Sequence, residues 1–286
     1  MNEDINELFG DLRSMLSSRN YEPRELYWLL DEAYENDPQH YQDQWFAYLS
    51  AYSPLSMTIT SADELDKLEQ LLPPDTQQDV CLRMTRHHLR KWHFEQIADS
   101  EGAWFLCELD ISYNQAQNHY PAAFAHTDTM LNLRTLNMAY CDLHNLVAVW
   151  VLRAPFLTHV EDLNLAGNPL ELNDVRTFAS NEHIERITRL VMHSCGLDFS
   201  KLEALLGAPF LQQLEHLDLS DNPFNADCFK MLAGWESCQY LKSLELPWSK
   251  VDNATRQLLL ASPNFPEQIR DYIFEKTLPK NALKPK

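Results

Sequence analysis

An eleven-residue frame, L-x-x-L-x-L-x-x-N-x-L, starts at Leu106, Leu133, Val160, Ile187, Leu214 and Leu241, and every interval between starts is 27 residues. The six segments read LCELDISYNQA, LRTLNMAYCDL, VEDLNLAGNPL, ITRLVMHSCGL, LEHLDLSDNPF and LKSLELPWSKV. Frame positions one, four and six are apolar in all six, and position nine is small or polar throughout. A fixed period of this length describes a stack of like supersecondary units, each burying its apolar face against the next.

Within a unit, positions four and six alternate. Leu163 and Leu165, or Leu217 and Leu219, therefore lie on one face of a short strand while the residues between them face away. Position nine holds Asn114, Cys141, Asn168, Cys195, Asn222 and Ser249. These side chains can bond backbone groups where the chain leaves the strand, cysteine more weakly than asparagine. That role gives Cys141 and Cys195 a structural rather than a nucleophilic assignment. Turn residues follow, Asn168-Pro169 and Asn222-Pro223 among them. Helix starts come next, at Asn173-Asp174 and at a capping box Ser200-Lys201-Leu202-Glu203. Helical spacing then appears at Leu202, Leu205 and Leu206, at Phe229 and Leu232, and at Val147 and Trp150. Ala154-Pro155-Phe156-Leu157 recurs as Ala208-Pro209-Phe210-Leu211, where proline ends the helix and returns the chain to the next strand.

Over residues 79 to 265 this pattern resembles the leucine-rich repeat family, and the 27-residue length resembles its ribonuclease-inhibitor-like class. The resemblance implies an α/β solenoid with a curved parallel sheet on its concave face and helices on its convex face. It also implies a non-catalytic scaffold for protein partners; a GTPase regulator, or a recognition subunit recruiting an enzyme through its N-terminal helices, is the alternative it leaves open.

Three segments are expected. Residues 76–265 form the solenoid, with a degenerate seventh repeat from Asp79 in which Leu82, Met84 and Leu89 keep frame positions four, six and eleven. Residues 1–75 form an acidic α-helical N-terminal cap or module. Its apolar stripes are Ile5, Leu8, Phe9, Leu12 and Leu16, then Leu26, Leu29, Leu30 and Ala33, then Trp45, Phe46 and Leu49, and a capping box at Ser61 to Glu64 opens a helix to Leu72. Residues 266–286 give a C-terminal cap helix carrying Ile269, Tyr272 and Ile273, followed by a basic tail.

The chain carries 42 acidic and 23 basic side chains, a formal charge of -19, which repels nucleic acid. Of these, 16 acidic and 4 basic side chains lie in residues 1–75. The longest apolar run, Leu146 to Leu152, is too short to cross a membrane. Six cysteines without a C-x-x-C pair fit a reducing, cytoplasmic setting. Nucleotide-binding glycine loops, H-E-x-x-H and G-x-S-x-G are absent from the sequence, and no cofactor is expected. His87, His88 and His93 near Cys81 read as surface residues rather than a metal site. His193, His216 and Arg189 with Asp218 imitate an acid-base cluster whose only candidate nucleophiles are Ser194 and Ser220.

What remains is the concave face. Position three supplies Glu108, Asp162, Arg189 and His216; position five supplies Asp110, Asp218 and Glu245; position eight supplies Tyr113, Tyr140 and Trp248. The aromatics are expected to anchor a protein partner, and the carboxylates to steer a basic one.

Overall fold

The computed structural model of the chain describes residues 3–74, 78–114, 123–125, 127 and 129–277; for residues 3–6, 40, 43, 44, 145–147 and 150 only the backbone is considered. Eight strands form one parallel sheet in chain order: β1 (Ser56–Ile59), β2 (Asp79–Arg83), β3 (Leu106–Asp110), β4 (Thr135–Asn137), β5 (Asp162–Asn164), β6 (Arg189–Val191), β7 (His216–Asp218) and β8 (Ser243–Glu245). From β3 to β8 each residue pairs with the one 27 positions on, so Leu109, Leu136, Leu163, Leu190, Leu217 and Leu244 stand in one buried row. Leu82 of β2 and Ile59 of β1 extend that row.

Parallel neighbours require a crossover, and here each crossover buries the same face. The returning helices are α5 (Ala62–Leu71), α6 (Lys91–Asp99), α7 (Asn145–Leu152), α8 (Leu172–Ala179), α9 (Phe199–Leu206), α10 (Ala226–Ala233) and α11 (Asn253–Leu260). The last five have eight residues each, too few to be helical alone, so packing against the leucine rows sustains them. Helix α5 opens on the expected Ser61 and Glu64 capping box. Helix α9 does not open at Ser200: Asp198 is its cap, accepting from the Lys201 N–H, because the chain turns helical two residues earlier. Pro155 and Pro209 each begin a 3-10 turn that leads into the next strand.

Position nine ties neighbouring repeats together, and it does so with a two-repeat alternation. Asn168 Nδ2 donates to Leu165 O of its own repeat and Met138 O of the one before, while its Oδ1 accepts from Cys141 N and Leu143 N. Asn222 repeats this pattern toward Met192, Leu219, Cys195 and Leu197. Cysteine has one weak donor and no amide oxygen to accept strongly: Cys141 Sγ donates to Ile111 O and Cys195 Sγ to Leu165 O. The loops of the asparagine repeats therefore close on themselves, Leu170 N on Asn168 O and Phe224 N on Asn222 O. Position ten of those loops is Pro169 or Pro223, which has no N–H to orphan. Ser249 departs from the pattern, exposed in the 3-10 turn Trp248–Lys250.

Both ends of the stack are closed. The sheet begins inside the segment read from sequence as wholly helical, because β1 pairs with β2 at an offset of 23 residues and so falls outside the 27-residue frame. Ahead of it lie α1 (Glu3–Ser18), α2 (Pro23–Asn36), a turn α3 (Pro38–His40), a π-type turn Tyr41–Trp45 and α4 (Phe46–Ser50). Phe9, Leu12, Leu16, Leu26, Leu30, Ala33, Trp45 and Leu49 are buried as the stripes require; the Ile5 side chain is outside the described residues. An edge strand presents unpaired backbone groups. On β1, Ser56 N donates to Tyr21 Oη and Thr58 O accepts from Arg24. Arg24 also pairs with Glu64 on α5, and Lys67 of α5 pairs with Asp31 and Glu35 of α2. At the other end α12 (Glu267–Lys276) buries Ile269 and Ile273. Its Gln268 donates to Leu241 O, and its Tyr272 donates to Glu245.

Candidate protein-binding face

Frame positions three and five alternate with the buried row, so they line the sheet face opposite the helices, called the open face below. Position five has structural work. The Oδ1 atoms of Asp110, Asn137, Asn164 and Asp218 accept from the N–H two residues on, at 2.8 to 3.1 Å, and so end the strand. Asparagine performs this as well as aspartate. The negative charge at Asp110 and Asp218 is therefore beyond what the turn requires.

A shallow depression of about 210 Å³ lies across β3 to β6, lined by Glu108, Asp110, Asn137, Asp162, Arg189 and Val191 among others. Asp162 is half-buried. Burial pushes its carboxyl above the usual aspartate range, and Arg189, 3.3 Å away, offsets only part of that. Glu108 has Arg83 at 3.4 Å. Five carboxylates, Glu108, Asp110, Asp162, Asp218 and Glu245, thus share the face with two guanidinium groups, Arg83 and Arg189.

Along one margin runs a column of position-eight residues. Arg86, Tyr113, Tyr140, Gly167, Ser194 and Asp221 all adopt φ between 53° and 67°. The Tyr113 and Tyr140 rings stack at 4.8 Å with planes 10° apart, and the Arg86 guanidinium sits 4.7 Å over Tyr113. On the far side Tyr140 lies over Gly167, where a Cβ would come within 2.3 Å of the ring. Both tyrosines remain more than a third exposed. Their flat faces are covered by this column, which leaves ring edges and hydroxyls toward solvent.

Trp248 stands apart from the two tyrosines. It lacks the left-handed backbone of the other position-eight residues, follows Pro247, and donates through Nε1 to Glu245 at 2.9 Å. Its ring packs edge-on against Tyr272. Glu245 and Trp248 thereby join the C-terminal closure, and both Glu245 oxygens are occupied. Sequence reasoning missed Arg86, although one 27-residue step back from Tyr113 lands on it.

The apparent acid-base cluster is a hydrogen-bond ladder. Ser194 Oγ lies 3.3 Å from His193 Nε2, His193 Nδ1 lies 3.0 Å from Ser220 Oγ, and Ser220 donates to Asp218 at 2.5 Å. His216 and Ser243 make the same kind of pair, one repeat apart. The nearest N–H groups that could hold an oxyanion are already committed, Ser194 N to Ser220 O and Cys195 N to Asn222 Oδ1. His93 Nδ1 accepts from Arg90 N while His87 Nδ1 meets Thr85 O, and among the described residues no three His, Cys, Asp or Glu side chains are placed to hold a metal ion. No described helix is long and apolar enough to cross a membrane.

A family model described as Leucine Rich Repeat matches residues 213–235, the stretch that carries β7 and α10. The match covers one repeat of the stack. Two solved structures are similar to this chain. One is the yeast complex of Rad7 and Elc1, at 14% identity and a TM-score of 0.39, covering 92% of this chain and 86% of that one. The other is an internalin, inlF, from Listeria monocytogenes, at 13% identity and a TM-score of 0.34, covering 74% and 52%. No curated protein matches the sequence.

Proposed function

We propose that this leucine-rich repeat protein is a non-catalytic scaffold that holds a basic segment of a partner protein on the open face. The observation that carries the reading is the depression between Glu108, Asp110 and Asp162, where negative charge exceeds both what the turns need and what the two guanidinium groups supply. Leucine-rich repeat chains commonly bind protein partners, which favours the same class of function. A carboxylate kept half-buried at a cost, as Asp162 is, fits a site retained for binding rather than stability. The exposed edges of Tyr113 and Tyr140 add amphipathic contact area beside it. The N-terminal helices serve as a cap in this reading, since α2 is spent on covering β1 and pairing with α5.

Affinity capture from the source cell tests this. The intact chain is compared with a variant carrying Asp110→Asn, Asp162→Asn and Asp218→Asn, which preserves the turn bonds while removing three charges. A partner held by the intact chain, lost from the variant and weakened by salt supports the reading. A partner held equally by both moves the function to the helical face or the N-terminal helices.

A further inference from the structure

The loop between β2 and α6 is a cationic island in an acidic chain. Residues 80–94 hold no acid and carry four lysine or arginine side chains and three histidines. Bonds to the next repeat hold the loop backbone: Arg86 N donates to Ser112 O, Asn114 Nδ2 donates to Met84 O, and Leu89 N donates to Asn114 Oδ1. Met84 and Leu89 are buried, whereas Arg86, His87, His88 and Arg90 are exposed. No carboxylate pairs with Arg86 or Arg90 among the described residues. Arg86 and His88 hold left-handed φ of 60° and 51°, a conformation that suits glycine, and the matching loop positions of later repeats are Gly167 and Gly196. The scaffold thus accepts glycine at both places, yet two basic residue types are kept there against backbone preference. We propose that Arg86, His87, His88 and Arg90, with the edges of Tyr113 and Tyr140, form a docking surface for an acidic segment of a partner protein.

The tyrosines belong to this surface because of how their column is closed. Arg86 covers one end and Gly167 the other, so each ring offers its rim and its hydroxyl. The rim is the positive part of an aromatic quadrupole and the hydroxyl donates, and both suit a carboxylate. The Arg86 guanidinium adds its own donors beside them. From Arg86 to Tyr140 is two strand steps, about 10 Å, a length that three or four extended residues cover. Size decides the class of partner. Asp63 and Asp66 of α5 accept from Gln96 of α6, so carboxylates bound the island on that side. A nucleic acid or an anionic membrane must lie over those carboxylates as well, on a chain of formal charge -19, whereas a short acidic peptide fits beside them. This surface stands apart from the depression proposed for a basic segment. If both hold, a partner segment bearing both charges binds in one direction only.

Fluorescence anisotropy of a labelled glutamate octamer titrated with the full chain at physiological salt tests the surface. Arg86→Gln together with Arg90→Gln should weaken binding by about tenfold or more. Tyr113→Phe together with Tyr140→Phe keeps both rings and should weaken it by about threefold. Both variants should unfold at the temperature of the intact chain, and bound octamer should slow amide hydrogen exchange in residues 84–93. A lysine octamer, which probes the open face instead, should bind the variants no more weakly, and a parallel loss would overturn the charge argument. No binding of the glutamate octamer by the intact chain, or equal binding by the arginine variant, would overturn the proposal. So would tighter binding of a single-stranded DNA octamer or of phosphatidylserine vesicles, since the occupant would then be a nucleic acid or a membrane.

Discussion

Replacing Asn168 by alanine should cost far more than changing an uncharged polar side chain outside position nine. The side chain is fully buried and makes five hydrogen bonds to backbone groups of two repeats, at 2.8 to 3.4 Å. On truncation Leu165 O keeps the Cys195 thiol at 3.2 Å, but Met138 O, Cys141 N and Leu143 N each lose the Asn168 bond. An unsatisfied buried backbone group costs about 1–3 kcal/mol, so three of them, eased by local relaxation, amount to about 3–5 kcal/mol. That is a large share of the roughly 5–15 kcal/mol by which domains are stable. Cys195→Ala is the control: it removes one weak donor from a carbonyl that Asn168 still serves, at about 1 kcal/mol. Urea unfolding followed by both circular dichroism and tryptophan fluorescence measures the two, and coincident transitions license the comparison. Equal costs for the two variants, or an Asn168→Ala cost within about 1 kcal/mol of zero, would refute the assignment of position nine as the inter-repeat tie.

Gly167→Ala should destabilise by about 1–3 kcal/mol, since alanine must hold φ of 67° and its Cβ meets the Tyr140 ring. Part of that loss should vanish in a Tyr140→Ala background, and a double-mutant cycle without coupling would contradict the column. Asp162→Asn should leave stability unchanged or raised at pH 7: a carboxyl whose folded value lies above its unfolded one favours the native state only as it protonates, so the folded chain gains no stability from this charge at neutral pH. Denaturation of the variant at pH 7 and pH 4 checks the sign, and a lower midpoint at pH 7 counts against it. Glu64 behaves oppositely. Burial pushes its carboxyl up, but the Arg24 bond and charge and the Thr60 and Ser61 N–H groups together hold it below the usual 4.5. Its contribution is therefore whole above pH 4.5 and lost as pH falls further, and Glu64→Gln should flatten that acid loss in hydrogen exchange of α2. The thiols should be inert in the native state: burial pushes Cys107 up to about 11 and Cys81, Cys141, Cys195 and Cys238 to about 12. Ellman titration at pH 8 should find half-buried Cys107 first and the others only on unfolding, and rapid modification of Cys141 or Cys195 would reverse that reading.

The fold was legible wherever the period was intact. A leucine row in register every 27 residues requires strands, turns and crossovers in fixed places, and β3 to β8 stand there. Strand β1 escaped because its offset to β2 is four residues short, and only its pairing reveals it. The cap of α9 lies at Asp198 rather than Ser200: either residue type can cap a helix, and here Asp198 takes the Lys201 N–H. Trp248 was harder still. Nothing local announces that Tyr272 claims Glu245, although both bonds from α12 to the last repeat span 27 residues, Gln268 to Leu241 and Tyr272 to Glu245. The cap helix sits where the next repeat would begin, so the period runs on after the frame has dissolved.

The candidate face poses a different question, because a repeat gives every residue a structural reason to exist. Position eight adopts a left-handed backbone in six successive units, so an aromatic there can be read as a ladder and nothing more. Position five ends its strand in four units out of six. The discriminating comparison lies inside the repeat itself: where Asn137 and Asn164 perform the turn without charge, Asp110 and Asp218 perform the same turn with it, and the geometry of the bonds does not separate them. Scaffold needs are met equally by both residue types, so charge is the variable left over. Asp162 sharpens the point from position three, where no turn bond is at stake and burial works against the charged form. Carboxylates that the backbone does not require, gathered around one depression on a face bounded by two closed ends, are what a surface shaped for a cationic chain segment would carry.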